Sequence, residues 1–175
     1  MTRVLIPYCS GKLQDGVFGA ASASGYAVEL HDVGAHETDY WKLLSRVWRE
    51  AASDVIVVEH DVRVAKDTIA GFDECKRPWC CAGYAYLGGR HIGLGCVRFR
   101  RDLMREYPDA LTEVGELEDA VHPRGHWCAL DRNLTNVLRG YGLDACPAHG
   151  NVEHFGDNLP SQPVCRHHVE KTREA

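Results

Sequence analysis

No stretch of this 175-residue chain approaches the ~20 consecutive apolar residues that a membrane-spanning helix requires. No membrane span is therefore expected. Basic residues are in deficit too: 20 Lys and Arg stand against 25 Asp and Glu, for a net charge of −5. That balance offers no broad field to DNA, RNA or anionic lipid, so a nucleic acid is not an expected partner. The opening Met1-Thr2-Arg3-Val4-Leu5-Ile6-Pro7-Tyr8 is too short in its apolar part, and wrongly flanked, for a secretory signal. A cytoplasmic protein is the expectation. Internal repeats and domain-separating linkers are missing, as is the Gly-x-x-x-x-Gly-Lys of a phosphate-binding loop. Gly93-Leu94-Gly95 contains Gly-x-Gly, but it does not lead into the start of a dinucleotide-binding helix. These absences turn the reading away from P-loop ATPases and Rossmann dehydrogenases.

The residues present, 45% hydrophobic and 26% charged, can bury a core, and the length suits one domain. Residues 1–160 are read as that domain and 161–175 as a polar tail rich in Arg, His, Lys and Glu. There are eight cysteines. In a reducing compartment they are thiols, either buried as small hydrophobes or bound to metal. Structural zinc usually takes two close ligand pairs. Cys75-x4-Cys80 with adjacent Cys81, and Cys165-x-His167-His168, lack clean partners. Buried free thiols are the expectation, and a non-catalytic Cys/His zinc module is the alternative.

The hydrophobic pattern predicts an α/β fold. Arg3 to Tyr8 reads as a strand, Cys9 to Ser24 as a loop or short helix, and Tyr26 to His31 alternates as a half-buried strand does. From Thr38 the period changes: Tyr40, Trp41, Leu44, Val47, Trp48 and Ala51 share one helix face, with Thr38 or Asp39 as N-cap. The two tryptophans on that face are read as core. Asp54 to Val58 is a short β-branched run of the kind that forms a central parallel strand. Next come a helix over 68–74, strands over 79–86 and 91–99, and a helix over 101–111 broken locally by Pro108. The acidic 113–119 stretch reads as loop or short helix, 127–139 as a helix stopped by Gly140, and 146–156 as extended.

The central strand runs into Glu59-His60-Asp61. In open α/β sheets ligands bind beyond the carboxyl ends of the strands, which is where this tripeptide falls. Two carboxylates one residue apart can turn to one hard cation, Mg²⁺ or Mn²⁺, which keeps open positions for phosphate oxygens. A polar strand end that starts a turn is the plain alternative. Near the other end, His154, two residues before Gly156, has an imidazole of the kind that completes a Mn²⁺ site.

Taken in order, these features resemble the GT-A fold glycosyltransferases. They are an N-terminal strand ending in a turn, an Asp after the second strand, and a β-branched strand leading to acidic-x-acidic. A Gly-rich strand, Trp127-x3-Asp131 opening a helix, and a late His-x-Gly complete the series. The resemblance covers most of residues 3–156 and implies a mixed, mainly parallel sheet flanked by helices. It implies a nucleotide-sugar donor, UDP- or GDP-linked, held through Mn²⁺ or Mg²⁺ by Glu59, Asp61 and His154. Glu59 stands where the family more commonly has Asp; Asp61 is the firmest ligand and His60 a spacer within the donor site. Pro7 and Tyr8 would lie against the nucleobase and Asp32 would accept from ribose hydroxyls or a base NH. Gly93 and Gly95 would let backbone approach the donor sugar. Asp131 is the catalytic base the resemblance implies, with Trp127 as a sugar-stacking surface; Glu116, Glu118 and Asp119 compete for the base role. The acceptor is left open among a protein, a glycan and a small molecule. Because the chain is shorter than most catalytic domains of this fold, a second copy in a homo-oligomer is one way to complete the acceptor side. A metal-dependent nucleotide hydrolase or nucleotidyltransferase on the same carboxylates is the other enzymatic reading.

Overall fold

A computed structural model describes residues 2–65, 67–86, 89–117, 122–146 and 152–154, with backbone alone at 84–86, 89–92 and 154. The chain opens β1 (Thr2–Tyr8), α1 (Val17–Ser22), β2 (Ala27–Asp32), α2 (Asp39–Glu50) and β3 (Asp54–Val58). This is the β-α-β-α-β alternation expected of an α/β protein. Then come β4 (Val62–Val64), α3 (Thr68–Glu74), β5 (Trp79–Tyr86) and β6 (Gly89–Phe99). The remainder comprises α4 (Arg101–Glu106), α5 (Ala110–Glu116), α6 (Trp127–Gly140) and β7 (Val152–His154).

Five strands form one sheet in the order β2-β1-β3-β6-β5, and β4 pairs with β7 in a separate two-stranded ribbon. β1 lies parallel to both β2 and β3, whereas β6 runs antiparallel to β3 and to β5. The sheet is thus mixed and mainly parallel, with β6 the reversed strand. The apolar run of β3 correctly signalled a central strand, but only one of its neighbours is parallel.

Strand alternation sorts the core into two layers. Leu5, Val55, Val57, Cys81, Val97 and Phe99 face one way, onto α2, α4, α5 and α6. Val4, Ile6, Ile56, Val58, Cys80 and Cys96 face the other, onto α1, β4 and α3. The α2 stripe is buried as its spacing requires: Tyr40, Leu43, Leu44, Val47 and Trp48 all point inward. Both tryptophans of that helix are packing residues. Trp48 Nε1 donates to Tyr107 O at 2.7 Å and Trp41 Nε1 to Leu111 O at 2.8 Å.

Several boundaries differ from the sequence pattern, each for a local reason. The expected 101–111 helix is two helices, because Pro108 cannot continue the ladder and α5 restarts at Ala110. Glu113 to Glu116 therefore belong to α5, the short-helix alternative for that acidic stretch. Thr38 does occupy the α2 N-cap position but makes no side-chain cap bond. Asp39 turns back instead, accepting from the His36 amide at 2.9 Å and from Lys42 Nζ at 2.9 Å. Three residues of β4 were too few to show a period.

Three of the described thiols follow the buried reading, and Cys9, Cys75, Cys128 and Cys146 are only partly buried. Cys80, Cys81 and Cys96 lie in the core and none of the described cysteines is in a disulfide. Burial pushes the Cys80 thiol up to about 12 despite the neighbouring Arg98, and raises Cys96 as well. These are inert, protonated packing groups. Cys165, His167 and His168 lie outside the described residues.

Candidate active site

Sheet topology brings the carboxyl ends of β1, β2 and β3 to one edge. Tyr8 and Asp32, the last residues of β1 and β2, are register partners there. Reversal of β6 sends its Gly93-Leu94-Gly95 to the same edge, since Val58 pairs with Cys96. Glu59, the first residue past β3, donates its amide to Gly95 O at 2.9 Å. The tripeptide is pinned on both sides: Glu59 O accepts from Val62 N at 3.0 Å, and His60 O accepts from Gln14 N at 2.9 Å. A backbone held that firmly fixes where its carboxylates stand.

Asp131 arrives from the helix layer. It is the fifth residue of α6, and its Oδ1 accepts from the Leu94 amide, between the two glycines, at 2.9 Å. The helix is thereby stitched to the strand end beside Glu59. Glu59 feels the consequence: its carboxyl is raised well above the usual range, first by burial, then by the charges of Asp131 and Asp61. A hydrogen bond from the Tyr40 side chain opposes that shift and does not overcome it. Asp61 is itself buried. Three carboxyl groups from one loop and a helix thus share one poorly solvated place, an arrangement that costs energy unless positive charge is supplied.

Asp32 differs in character. It is exposed, and its carboxyl is held below the usual range by the Ser10 hydroxyl at 2.5 Å and the Gly34 amide at 2.9 Å. Between it and the tripeptide lies Cys9, whose thiol is raised by burial and by both Asp32 and Asp61, against Lys12. Pro7 is buried and Tyr8 half-buried at the end of β1. The turn after β2 approaches β1 closely, for a Cβ on Gly34 would meet Cys9 Cα and Cβ at 3.1 Å.

His154 returns to this edge through the small ribbon. β7 pairs with β4 so that His154 stands opposite Val62, the residue after Asp61. Its side chain lies outside the described residues, as do Glu118 and Asp119. Trp127 opens α6 and is 49% exposed. Glu116 ends α5 on an exposed surface. Every described backbone position proposed for the donor side, Pro7, Tyr8, Asp32, Glu59, His60, Asp61, Gly93 and Gly95, is therefore at or next to one sheet edge.

The three carboxyl groups do not converge as a closed cage. Among the described residues, the one group of three metal-binding side chains whose ligand atoms lie within 4.8 Å of one another is His122, His126 and Cys128. Oxygen donors with excess negative charge still fit Mg²⁺ or Mn²⁺, because such ions keep several waters and commonly take one or two protein carboxylates. Sequence reasoning missed Tyr40 as a site residue, since it shares the apolar stripe of α2. It also missed the Leu94 amide, which no side-chain motif can announce.

A cavity of about 520 Å³ opens at the opposite, amino edge of the sheet, among Thr2, Tyr26, Asp54, Asp73 and Arg101. Its carboxylates already serve the fold. Asp73 accepts from Thr2 and Tyr26, and Asp54 binds Arg98 and the Arg101 amide. Chemistry and topology both favour the carboxyl edge.

No protein-family model and no curated protein sequence matches the chain. Solved structures do. One is a glycosyltransferase involved in the glycosylation of the major capsid of PBCV-1, at 13% identity and TM-score 0.52. That match covers 85% of this chain and 79% of the other. The fold is similar to a glycosyltransferase fold. A second match, A197 from STIV, has 13% identity and TM-score 0.54, over 88% of this chain and 85% of the other. At such identity the likeness concerns architecture: a mixed α/β sheet with helices on both faces.

Proposed function

We propose that the chain is a metal-dependent glycosyltransferase that takes its sugar from a UDP- or GDP-linked donor. The observation that carries this reading is the repulsive Glu59–Asp61–Asp131 cluster at the carboxyl edge of a sheet similar to a glycosyltransferase's. Asp61 and Glu59, with His154, would hold Mn²⁺ or Mg²⁺. Such an ion supplies neutralisation of the charge on a diphosphate leaving group. Tyr8 and Pro7 offer the nucleobase a flat apolar rest, and the exposed Asp32 carboxylate offers the ribose or base an acceptor. The buried Gly93 and Gly95 leave room for backbone to approach the sugar.

Asp131 has one oxygen committed to Leu94. In an inverting transfer its carboxylate would take the acceptor hydroxyl proton as that oxygen bonds to the anomeric carbon. The bond from that carbon to the diphosphate breaks, and the nucleoside diphosphate leaves with the electron pair. Trp127, half exposed one turn earlier, supplies an apolar face for a sugar ring.

The test is release of nucleoside diphosphate from UDP- and GDP-sugars with Mn²⁺, comparing the native chain with Asp61→Asn. Expected is release by the native chain and a fall of at least about 100-fold in the variant. Phosphate or pyrophosphate as the nucleotide product would favour the hydrolase or nucleotidyltransferase reading, and no turnover of any nucleotide-sugar would overturn glycosyl transfer.

A further inference from the structure

We infer that His122, His126 and Cys128 form a second metal site, for zinc or a similar borderline-soft divalent cation, at the start of α6. One ligand atom from each side chain lies within 4.8 Å of the others; both histidines are buried and Cys128 is partly so. Around a tetrahedral zinc, ligand atoms stand roughly 3.4 Å apart, so rotamer adjustments rather than backbone movement would close the set. Imidazole and thiolate are the donors zinc prefers, whereas the carboxylates of the donor site suit Mg²⁺ or Mn²⁺. The two sites would sort two metals by ligand chemistry.

A second observation supports the assignment. His126 Nε2 faces Glu37 Oε2 at 3.4 Å, while Nδ1 accepts from the Cys128 amide at 3.1 Å. An imidazole steered by a carboxylate on one nitrogen, with the lone pair on the other, has the arrangement that orients metal-bound histidines. The lone pair that now caps α6 is the one a cation would take, beside the Cys128 side chain. His122 stacks on His126 with ring centroids 4.5 Å apart and planes 12° from parallel, so the two imidazoles are held together and a turn of one ring would aim both lone pairs at a shared cation.

Three protein ligands leave a fourth position open, as in zinc sites that exchange water. Cys128 lies one turn before Asp131, so metal here would tie His122, before the helix, to the turn that presents Asp131. The His-x3-His-x-Cys spacing carried this signal in the sequence, outside the cysteine pairs considered there.

The inference is independent of glycosyl transfer and needs no activity assay. Chelator-stripped full-length protein is titrated with Zn²⁺ against a chromophoric chelator, and separately with Co²⁺ by absorbance. Expected is one high-affinity equivalent, with a thiolate-to-cobalt charge-transfer band that Cys128→Ser abolishes. Zn²⁺ affinity should fall at least about tenfold in Glu37→Gln, a partner outside the ligand set. Asp61→Asn should leave both readouts unchanged, which separates this site from the donor site. Absence of the band in the native chain, or zinc binding equal to native in both Cys128→Ser and His122→Ala, would overturn the assignment. Because the native spectrum decides the first point, a variant that fails to fold does not protect the proposal.

Discussion

Glu59 is where the chemistry of single residues is most exposed to test. Its folded-state carboxyl titrates above the unfolded one, through burial and two neighbouring carboxylates. A raised acid stabilises the fold fully below its unfolded value, about 4.3, and loses that contribution as pH climbs through its folded value. In metal-free protein Glu59→Gln should therefore gain stability at pH 8 and gain nothing at pH 4. Urea denaturation at the two pH values checks it; equal effects at both would mean that charge is not the cause. Arg98 is the opposite case. It is fully buried, pairs with Asp54 at 3.2 Å, and donates to Cys75 O and Arg77 O at 2.8 and 2.9 Å. Removing a buried charge from such a network strands its partners, so Arg98→Met should cost about 3 kcal/mol or more in the same measurement. The pairing of Glu59 with Asp61 was legible in the sequence, and the role of Arg98 was not. An arginine in a strand looks like any solvated residue until the carbonyls around it are placed.

Among the elements, α6 does the most for the site and was the best read. Leu130, Leu134, Val137 and Leu138 are buried at the spacing that identified the helix, and Gly140 ends it. Its start at Trp127 was read as well, but the residue that caps it was not. His126 caps it through Nδ1, an unusual choice, since caps are commonly Ser, Thr, Asp or Asn. Contact between α2 and α5 is just as specific. A Cβ on Gly115 would meet Trp41 Cζ2 at 2.4 Å, and Trp41 is held by its bond to Leu111 O. Gly115→Ala gains up to about 1 kcal/mol of helix propensity. Overpacking against a fixed indole typically costs about 1–3 kcal/mol. A net loss of stability is expected, seen as a lower melting temperature, and a rise would show that Trp41 gives way easily.

For the whole molecule, the α/β class was legible because β1 and β3 are short apolar runs, α2 carries a helical period, and their alternation limits the topology. Reversal of β6 was not, because strand direction is set by the hairpin with β5 and leaves no mark on the apolar pattern. The same reversal places Gly93 to Gly95 at the site, so the residues were identified without the geometry that assembles them. Likewise the pairing of β7 with β4 joins positions 62 and 154, a contact too distant in sequence for a motif to express.

Residue, element and topology meet in one question, whether the carboxyl edge binds a nucleotide-sugar through a cation. Calorimetric titration of UDP- and GDP-sugars, with and without Mn²⁺, into the native chain and Asp61→Asn answers it directly. Saturable binding of one donor with Mn²⁺ is expected, at least about tenfold weaker when either the ion or the Asp61 carboxylate is removed. Binding of equal strength in all four conditions, or no binding of any donor with Mn²⁺ present, would contradict it.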